Sequence, residues 1–361
     1  MTIAREGENM ANQKMQLGLN FTQQKNLRDV ATWYEACDRA GLTVVGTPDS
    51  PALLRELYVS TTVAALATEK VNIMTMVTNP VTRHPSVTAS AAMSLDELAP
   101  GRIQIGIATG DSALWATKQK AAKVADLKEY ILAVKALLRG EPATYRGETF
   151  EQAWSNWEPR NVPIYVACSG PRVLSMASQV ADGVVVTMGF ARENVELIQA
   201  TIHRACGEVG RDPDTVDFWS NAQITFDESK EKAMEYSLGW TTNWLTEGTL
   251  SGKGIPPEIK EPLLKMNEDI HNLEAVYKTP DRGRIQVQRA KDLGIYDWII
   301  EHSPRLWGTP DDIYERLTEL ADMGLTNWVF LQQSRGTFVG GADAEKLELI
   351  KNLGEVAKRV A

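Results

Sequence analysis

From Gln16 onward, short apolar runs alternate with longer amphipathic ones along the chain. The first run, Gln16–Phe21, reads as a strand. Leu27, Val30, Ala31 and Tyr34 follow at the i, i+3, i+4, i+7 spacing of one helix face. Gly41 then supplies the residue type that commonly ends a helix. The pattern repeats with strands at Thr43–Gly46, Val71–Met76, Ile103–Ile107, Pro163–Ala167 and Gly183–Thr187. A seventh strand lies within 216–226, and Trp328–Leu331 is the eighth. Helices are predicted over about 53–68 and 86–98, and where Leu127, Ile131, Val134 and Leu138 form one stripe. Runs this short and this apolar, separated by helices, suit parallel strands buried on both faces. Eight such repeats with right-handed crossovers close into an α/β fold, the (β/α)8 TIM barrel.

Two stretches break the rhythm. Residues 227–307 carry several helical patterns, no strand pattern and the flexible composition of Gly248–Pro257, which predicts a helical insertion between strands seven and eight. A shorter irregular stretch covers 139–161 and contains Trp154 and Trp157. Sites of such barrels form at the C-terminal strand ends, where these loops emerge, so both stretches are candidate lids. Residues 1–14 are polar and lack the apolar centre of a signal peptide, which predicts a loose tail before a barrel spanning 15–361.

Composition narrows the classes. Lys and Arg total 38 against 47 Asp and Glu, a net charge of -9, and no basic cluster offsets it; a nucleic-acid partner is not expected. Cys37, Cys168 and Cys206 are too few and too scattered for a disulfide framework or a zinc site, and read as reduced thiols of a cytoplasmic protein. His84, His203, His271 and His302 have no metal-ligand spacing, which argues against a metal-dependent barrel hydrolase. No apolar run reaches the roughly 18 residues of a membrane span.

The chemically interesting residues follow strands. They are Thr47-Pro48-Asp49-Ser50, Val77 to Pro85, Thr109-Gly110-Asp111-Ser112-Ala113, Ser169-Gly170-Pro171-Arg172, Thr187-Met188-Gly189-Phe190 and Gly308-Thr309-Pro310-Asp311-Asp312. In chain order, V-T-N-P-x-T-R-H-P-x-V-T-A-S, G-I-A-T-G-D-S-A, V-A-C-S-G-P-R, A-D-G-V and G-T-P-D-D resemble the bacterial luciferase-like monooxygenase superfamily. The branch most similar includes methylene-tetrahydromethanopterin reductases and many flavin-dependent monooxygenases. The likeness spans nearly the whole chain from Gln16.

The resemblance implies a site built around a reduced flavin or an 8-hydroxy-5-deazaflavin coenzyme. It implies a non-prolyl cis peptide at Met76-Val77, next to Thr78, behind the ring. Thr109, Gly110 and Asp111 would lie beside the pyrimidine side, Gly110 permitting close backbone approach. Asp111 would accept a hydrogen bond or move a proton, or simply cap the next helix. Ser169, Gly170 and Pro171 open a helix and suit an anion or ribityl oxygens. Thr187, Met188 and Gly189 match the phosphate-side loop. Similar deazaflavin enzymes carry a lysine just beyond that threonine; here Phe190 stands there and Arg192 is the nearest cation. Relatives place His or Asp after strand two, facing the ring, so Asp49 is the candidate for that role, with helix capping as its alternative. His84 is either a catalytic group or a partner of adjoining backbone. Trp240 and Trp244, four apart, either wall a substrate pocket or fasten the insertion, and Trp115 has the same two readings. Phe21, at the end of strand one, is a further substrate-lining candidate.

The function so implied is a two-component monooxygenase that takes reduced FMN from a separate flavin reductase and uses O2 on a small organic substrate in a dry pocket. The alternatives are hydride transfer with the deazaflavin and flavin binding without turnover. Similar proteins commonly form homodimers through barrel helices.

Overall fold

The computed structural model describes residues 14–21, 26–115, 117–154, 158–238, 243–246, 250, 253–269, 272, 275–276, 278–332 and 343–361. The strands are β1 (Gln16–Asn20), β2 (Val44–Thr47), β3 (Asn72–Thr75), β4 (Ile103–Ile107), β5 (Ala143–Tyr145), β6 (Glu148–Phe150), β7 (Ile164–Cys168), β8 (Gly183–Val186), β9 (Asp217–Phe226), β10 (Arg305–Gly308) and β11 (Asn327–Gln332). β1, β2, β3, β4, β7, β8, β9 and β11 pair in that order, all parallel, and β11 returns to β1 with Gln16 opposite Asn327. The predicted eight-stranded barrel is present. Every residue of β2 (Val-Val-Gly-Thr) and of β8 (Gly-Val-Val-Val) is buried, as strands covered on both faces require.

Strand alternation sorts the core in two. Val44, Met74, Met76, Tyr165, Val185, Trp219 and Val329 form one apolar cluster, the barrel interior, and a much larger cluster lies between strands and helices. Asp217 organises the barrel end where the strands begin. Tyr165 Oη donates to its Oδ2 at 2.7 Å, Trp219 Nε1 to the same oxygen at 2.9 Å, and Asn327 Nδ2 to Oδ1 at 3.2 Å.

The helices of the first half are α1 (Leu27–Ala40), α2 (Leu57–Ala67), α3 (Pro85–Leu98), the short α4 (Ser112–Trp115) and α5 (Val124–Leu138). They are followed by α6 (Pro171–Val180) and α7 (Arg192–Glu208). Asn26 caps α1 by accepting from Arg28 N, and Gly41 closes it at φ 78°. α2 starts later than predicted because Glu56 caps it, which frees the preceding residues for a loop. Between β9 and β10 lie α8 (Lys230–Met234), α9 (Asn243–Thr246), α10 (Pro257–Met266) and helices Arg282–Asp292 and Tyr296–His302. Helix Pro310–Ala321 begins in a Thr309/Asp312 capping box, and Asp343–Val360 is the last helix.

Two expectations need correction. The pattern predicts no strand in 227–307, yet β10 runs parallel to β9 from Arg305 opposite Gln223 to Gly308 opposite Phe226. β9 is ten residues long; its first four pair with β8 and its last four with β10. The stretch 139–161 holds the β5–β6 hairpin, turned by Arg146 at φ 53° and Gly147 at φ 82°, the left-handed pair of a two-residue hairpin loop. Tyr145 packs edge-on against Tyr130 of α5, which draws the hairpin onto the helix ring. Of the predicted tail, only Lys14 is among the described residues.

Candidate active site

At the end of the barrel where the strands finish lies a cleft of about 810 Å³. That is large for a small-molecule site, which typically measures roughly 300–1,000 Å³. The loops after β2, β3, β4, β7 and β8 all contribute to it, as do Asn221 and Gln223 of β9. The insertion supplies Thr246, Lys253, Leu264, Asn267, Glu268 and Arg305. The insertion therefore contributes to the cleft wall, whereas no described residue of 139–161 lines the cleft.

The wall after β3 is the most unusual. The Met76-Val77 peptide is cis, as the resemblance implied, and both residues face the cleft. Asn20, ending β1, donates from Nδ2 to the Met76 carbonyl at 3.4 Å, while its Oδ1 is buried with no partner among the described residues. Gly46 makes this approach possible, since a Cβ there would sit 2.8 Å from both Asn20 Oδ1 and Met76 Cγ. Beyond the cis bond, Thr78 donates through its hydroxyl to Asp49 Oδ2 at 2.9 Å.

Asp49 is 6% exposed and lines the cleft. It does not cap α2, the role Glu56 fills. Its Oδ2 also accepts from Arg83, and its Oδ1 is buried without a partner among the described residues. Arg83 reaches Glu56 with its second nitrogen at 2.7 Å and lies 5.1 Å over the Tyr58 ring. Burial works to lower the Arg83 pKa, but the Asp49 charge and the bonds to Asp49 and Glu56 outweigh it and push the pKa up. Burial also pushes Tyr58 up to about 12, so it stays protonated and donates to Thr88. Asn79 closes the turn by accepting from the Val81 and Thr82 amides; its Nδ2 is buried in the cleft wall without a partner among the described residues.

On the next loop Gly110 has φ 109°, and a Cβ there would overlap Leu114 Cδ1, so only glycine fits. Thr109, Asp111 and Trp115 all line the cleft, and Asp111 also heads α4, its carbonyl accepting from the Leu114 and Trp115 amides. The Ser50 and Ser112 hydroxyls are 2.5 Å apart and tie the β2 loop to the β4 loop. Ser169, Gly170 and Pro171, after the neighbouring strand β7, line the adjoining wall, with Gly170 at the N-cap of α6. Lys253, 3% exposed, comes over this helix start; its Cε would lie 3.8 Å from a Cβ on Gly170. Thr187 faces the cleft and its hydroxyl accepts from Asn221 Nδ2 at 2.8 Å.

Other residues that the sequence singles out go elsewhere, mostly by strand parity. Thr47 turns outward from β2 and its hydroxyl pairs with Thr61 at 2.8 Å, outside the cleft. Phe21 shares the outward side of Leu19 and packs on Trp33 and Tyr34. Met188 is buried in the outer core; Gly189 abuts the backbone, where a Cβ would overlap the His302 carbonyl oxygen; Phe190 packs edge-on against Trp328. His84 precedes Pro85 and caps α3, accepting from Ser86 N at 3.3 Å and packing against Tyr145 and Phe150, so it is not brought to the cleft. Trp157, Trp240 and the side chain of Trp244 fall outside the described residues. Cys168 does line the cleft, but burial pushes its thiol up, away from the nucleophilic thiolate.

Sequence reasoning missed Asn20, Asn221, Gln223, Lys253 and Arg305, and gave Asn79 only as part of the loop after strand three. Arg305 is 3% exposed, and none of its guanidinium nitrogens has a partner among the described residues. Burial pulls its pKa well below the usual arginine range. For Asn20, Asn221 and Gln223 the available signal was a polar residue at an inward position of an otherwise apolar run.

A family model described as luciferase-like monooxygenase matches residues 10–327. The chain belongs to that family. It is similar to the 5,10-methylenetetrahydromethanopterin reductase of Methanolobus tindarius, 27% identical over 322 residues, which cover 87% of this chain and 93% of that one. The F420-dependent glucose-6-phosphate dehydrogenase of Nakamurella multipartita is 28% identical over 250 residues, 66% of this chain and 73% of that one. Among solved structures, the coenzyme F420 dependent tetrahydromethanopterin reductase of Methanopyrus kandleri superposes with a TM-score of 0.71 at 21% identity, covering 95% and 98% of the two chains. These relatives are oxidoreductases. No helix of the described residues is long and apolar enough to cross a membrane.

Proposed function

We propose that this protein is an oxidoreductase that exchanges hydride between a small organic substrate and a deazaflavin coenzyme of the F420 type. The observation that carries this reading is the set of relatives matched over most of the chain, which are tetrahydromethanopterin reductases and F420-dependent dehydrogenases. The cleft residues suit such a group. Gly110 leaves room for a flat ring, and Met76-Val77 forms a wall behind it. Asn20 Oδ1, Asp49 Oδ1 and Asn79 Nδ2, unpartnered among the described residues, offer acceptors and a donor to a pyrimidine edge. Ser169, Gly170 and Lys253 suit an anionic tail, because the start of α6 and a lysine side chain line the same part of the cleft.

When bound, the coenzyme supplies reversible two-electron hydride chemistry. The chain's own residues bind, orient and dry the site. Thr78 and Arg83 hold the Asp49 carboxylate in one position, so a proton on substrate or coenzyme meets a fixed acceptor. Trp115, Leu53, Leu54 and Leu264 exclude water from the mouth.

A second reading, the reduced-FMN monooxygenase with a partner reductase and O2, draws on the family's description. Equilibrium titration of the purified protein with F420 and, separately, FMN discriminates between them by cofactor fluorescence. F420 is expected to bind at least about tenfold more tightly, a difference of about 1.4 kcal/mol. The reverse order would overturn the deazaflavin assignment.

A further inference from the structure

Arg305 and Gln223 are register partners on the parallel strands β10 and β9, so their side chains leave the sheet on the same face, and both line the cleft. Arg305 is 3% and Gln223 9% exposed. All three guanidinium nitrogens and Gln223 Oε1 lack hydrogen-bond partners among the described residues. No carboxylate of those residues forms an ion pair with Arg305, whereas Arg83, Arg160 and Arg282 each have at least one. A guanidinium does not give up its proton under ordinary conditions and its planar fork matches an oxyanion in two-point contact. A buried charge of this kind is retained where a ligand compensates it.

We infer that Arg305 is the specificity-determining residue of the cleft and takes an oxyanion, a carboxylate or a phosphate monoester, carried by the substrate. Gln223 hydrogen-bonds a neighbouring oxygen or hydroxyl of the same molecule. The inference rests on the proposed reading in one respect, that the coenzyme occupies the β3, β4 and β7 side of the cleft. There its tail has Ser169, Gly170 and Lys253. Arg305 stands beyond the Thr187–Asn221 hydrogen bond, on the β9–β10 side, where a substrate would meet it. Both electrostatic ends of the cleft are then used by different molecules.

The test is isothermal titration of the coenzyme-free protein with inorganic phosphate and, separately, acetate. Wild type is compared with Arg305→Met, and F420 affinity is measured in parallel. At least one anion is expected to bind the wild type and to bind Arg305→Met at least about tenfold more weakly, the scale of a lost charge-assisted contact. F420 affinity is expected to be equal in the two proteins. The stronger of the two anions names the class. Arg305→Gln carries the same expectation should the methionine variant not fold. Three outcomes overturn the inference: neither anion binds, the variants bind them as wild type does, or phosphate competes with F420 and the variants lose both. The last would assign Arg305 to the coenzyme. Failure of wild type to bind F420, with anion binding still dependent on Arg305, would sink the deazaflavin reading alone.

Discussion

Asp49 and Arg305 are both buried charges of the cleft, and the protein treats them differently. Asp49 is compensated inside the fold by Arg83 and Thr78, whereas Arg305 has no such partner among the described residues. Removing a partner from a buried pair is expensive, so Arg83→Met should destabilise the protein by about 3–5 kcal/mol. Calorimetry reads this as a clear fall in Tm, and an unchanged Tm would show that Asp49 does not depend on Arg83. Gly110→Ala should cost about 1 kcal/mol or more in denaturant unfolding, because φ 109° and the Leu114 contact both oppose a Cβ. Lys346, 2% exposed, has its pKa lowered to about 8 by burial, partly offset by Glu345. In the unfolded chain it titrates near its ordinary value of about 10.4. Between those values the unfolded state holds the extra proton, so this residue adds stability as pH rises from about 8 to about 10 and none below. Lys346→Met should raise Tm at pH 7 and abolish that rise. A Tm profile across this range that is the same in both proteins would contradict it.

At the scale of elements, strand parity decides what was legible. Val44-Val45 and Val184-Val185-Val186 announce buried parallel strands, and the polar loops after β3, β4 and β7 were found because polarity follows an apolar run. Asn20, Asn221 and Gln223 sit inside apolar runs, where a polar residue reads as a break, although strand alternation turns them into the cleft. Phe21 and Thr47 failed for the complementary reason, one position out of phase. β10 was not legible at all: Arg-Leu-Trp-Gly is four residues beginning with a charge, and its strand identity comes only from the extended edge of β9. The β5–β6 hairpin belongs to the outer ring, so Gly147→Val, forced to φ 82°, should lower Tm and leave F420 affinity unchanged. A parallel loss of affinity in this variant would place the hairpin in the site.

For the whole molecule, the closed barrel has two unlike ends. One is packed and polar around Asp217; the other opens into a cleft walled by five strand-end loops and by residues of the insertion. The fold was readable because eight short repeats leave few other ways to bury both sheet faces. The chemistry was only half readable, since a flat ring and its deaza analogue ask the same shape of the same loops and differ in what they do with oxygen. That difference is directly measurable. Reduced F420 and reduced FMN are each mixed anaerobically with the protein, air is admitted, and the cofactor absorbance is followed. The expected result is that the protein binds reduced F420, which persists in air until an oxidised organic substrate is added, and gives no long-lived oxygen adduct with FMN. A stable peroxyflavin with FMN, together with no F420 binding, would contradict the assignment.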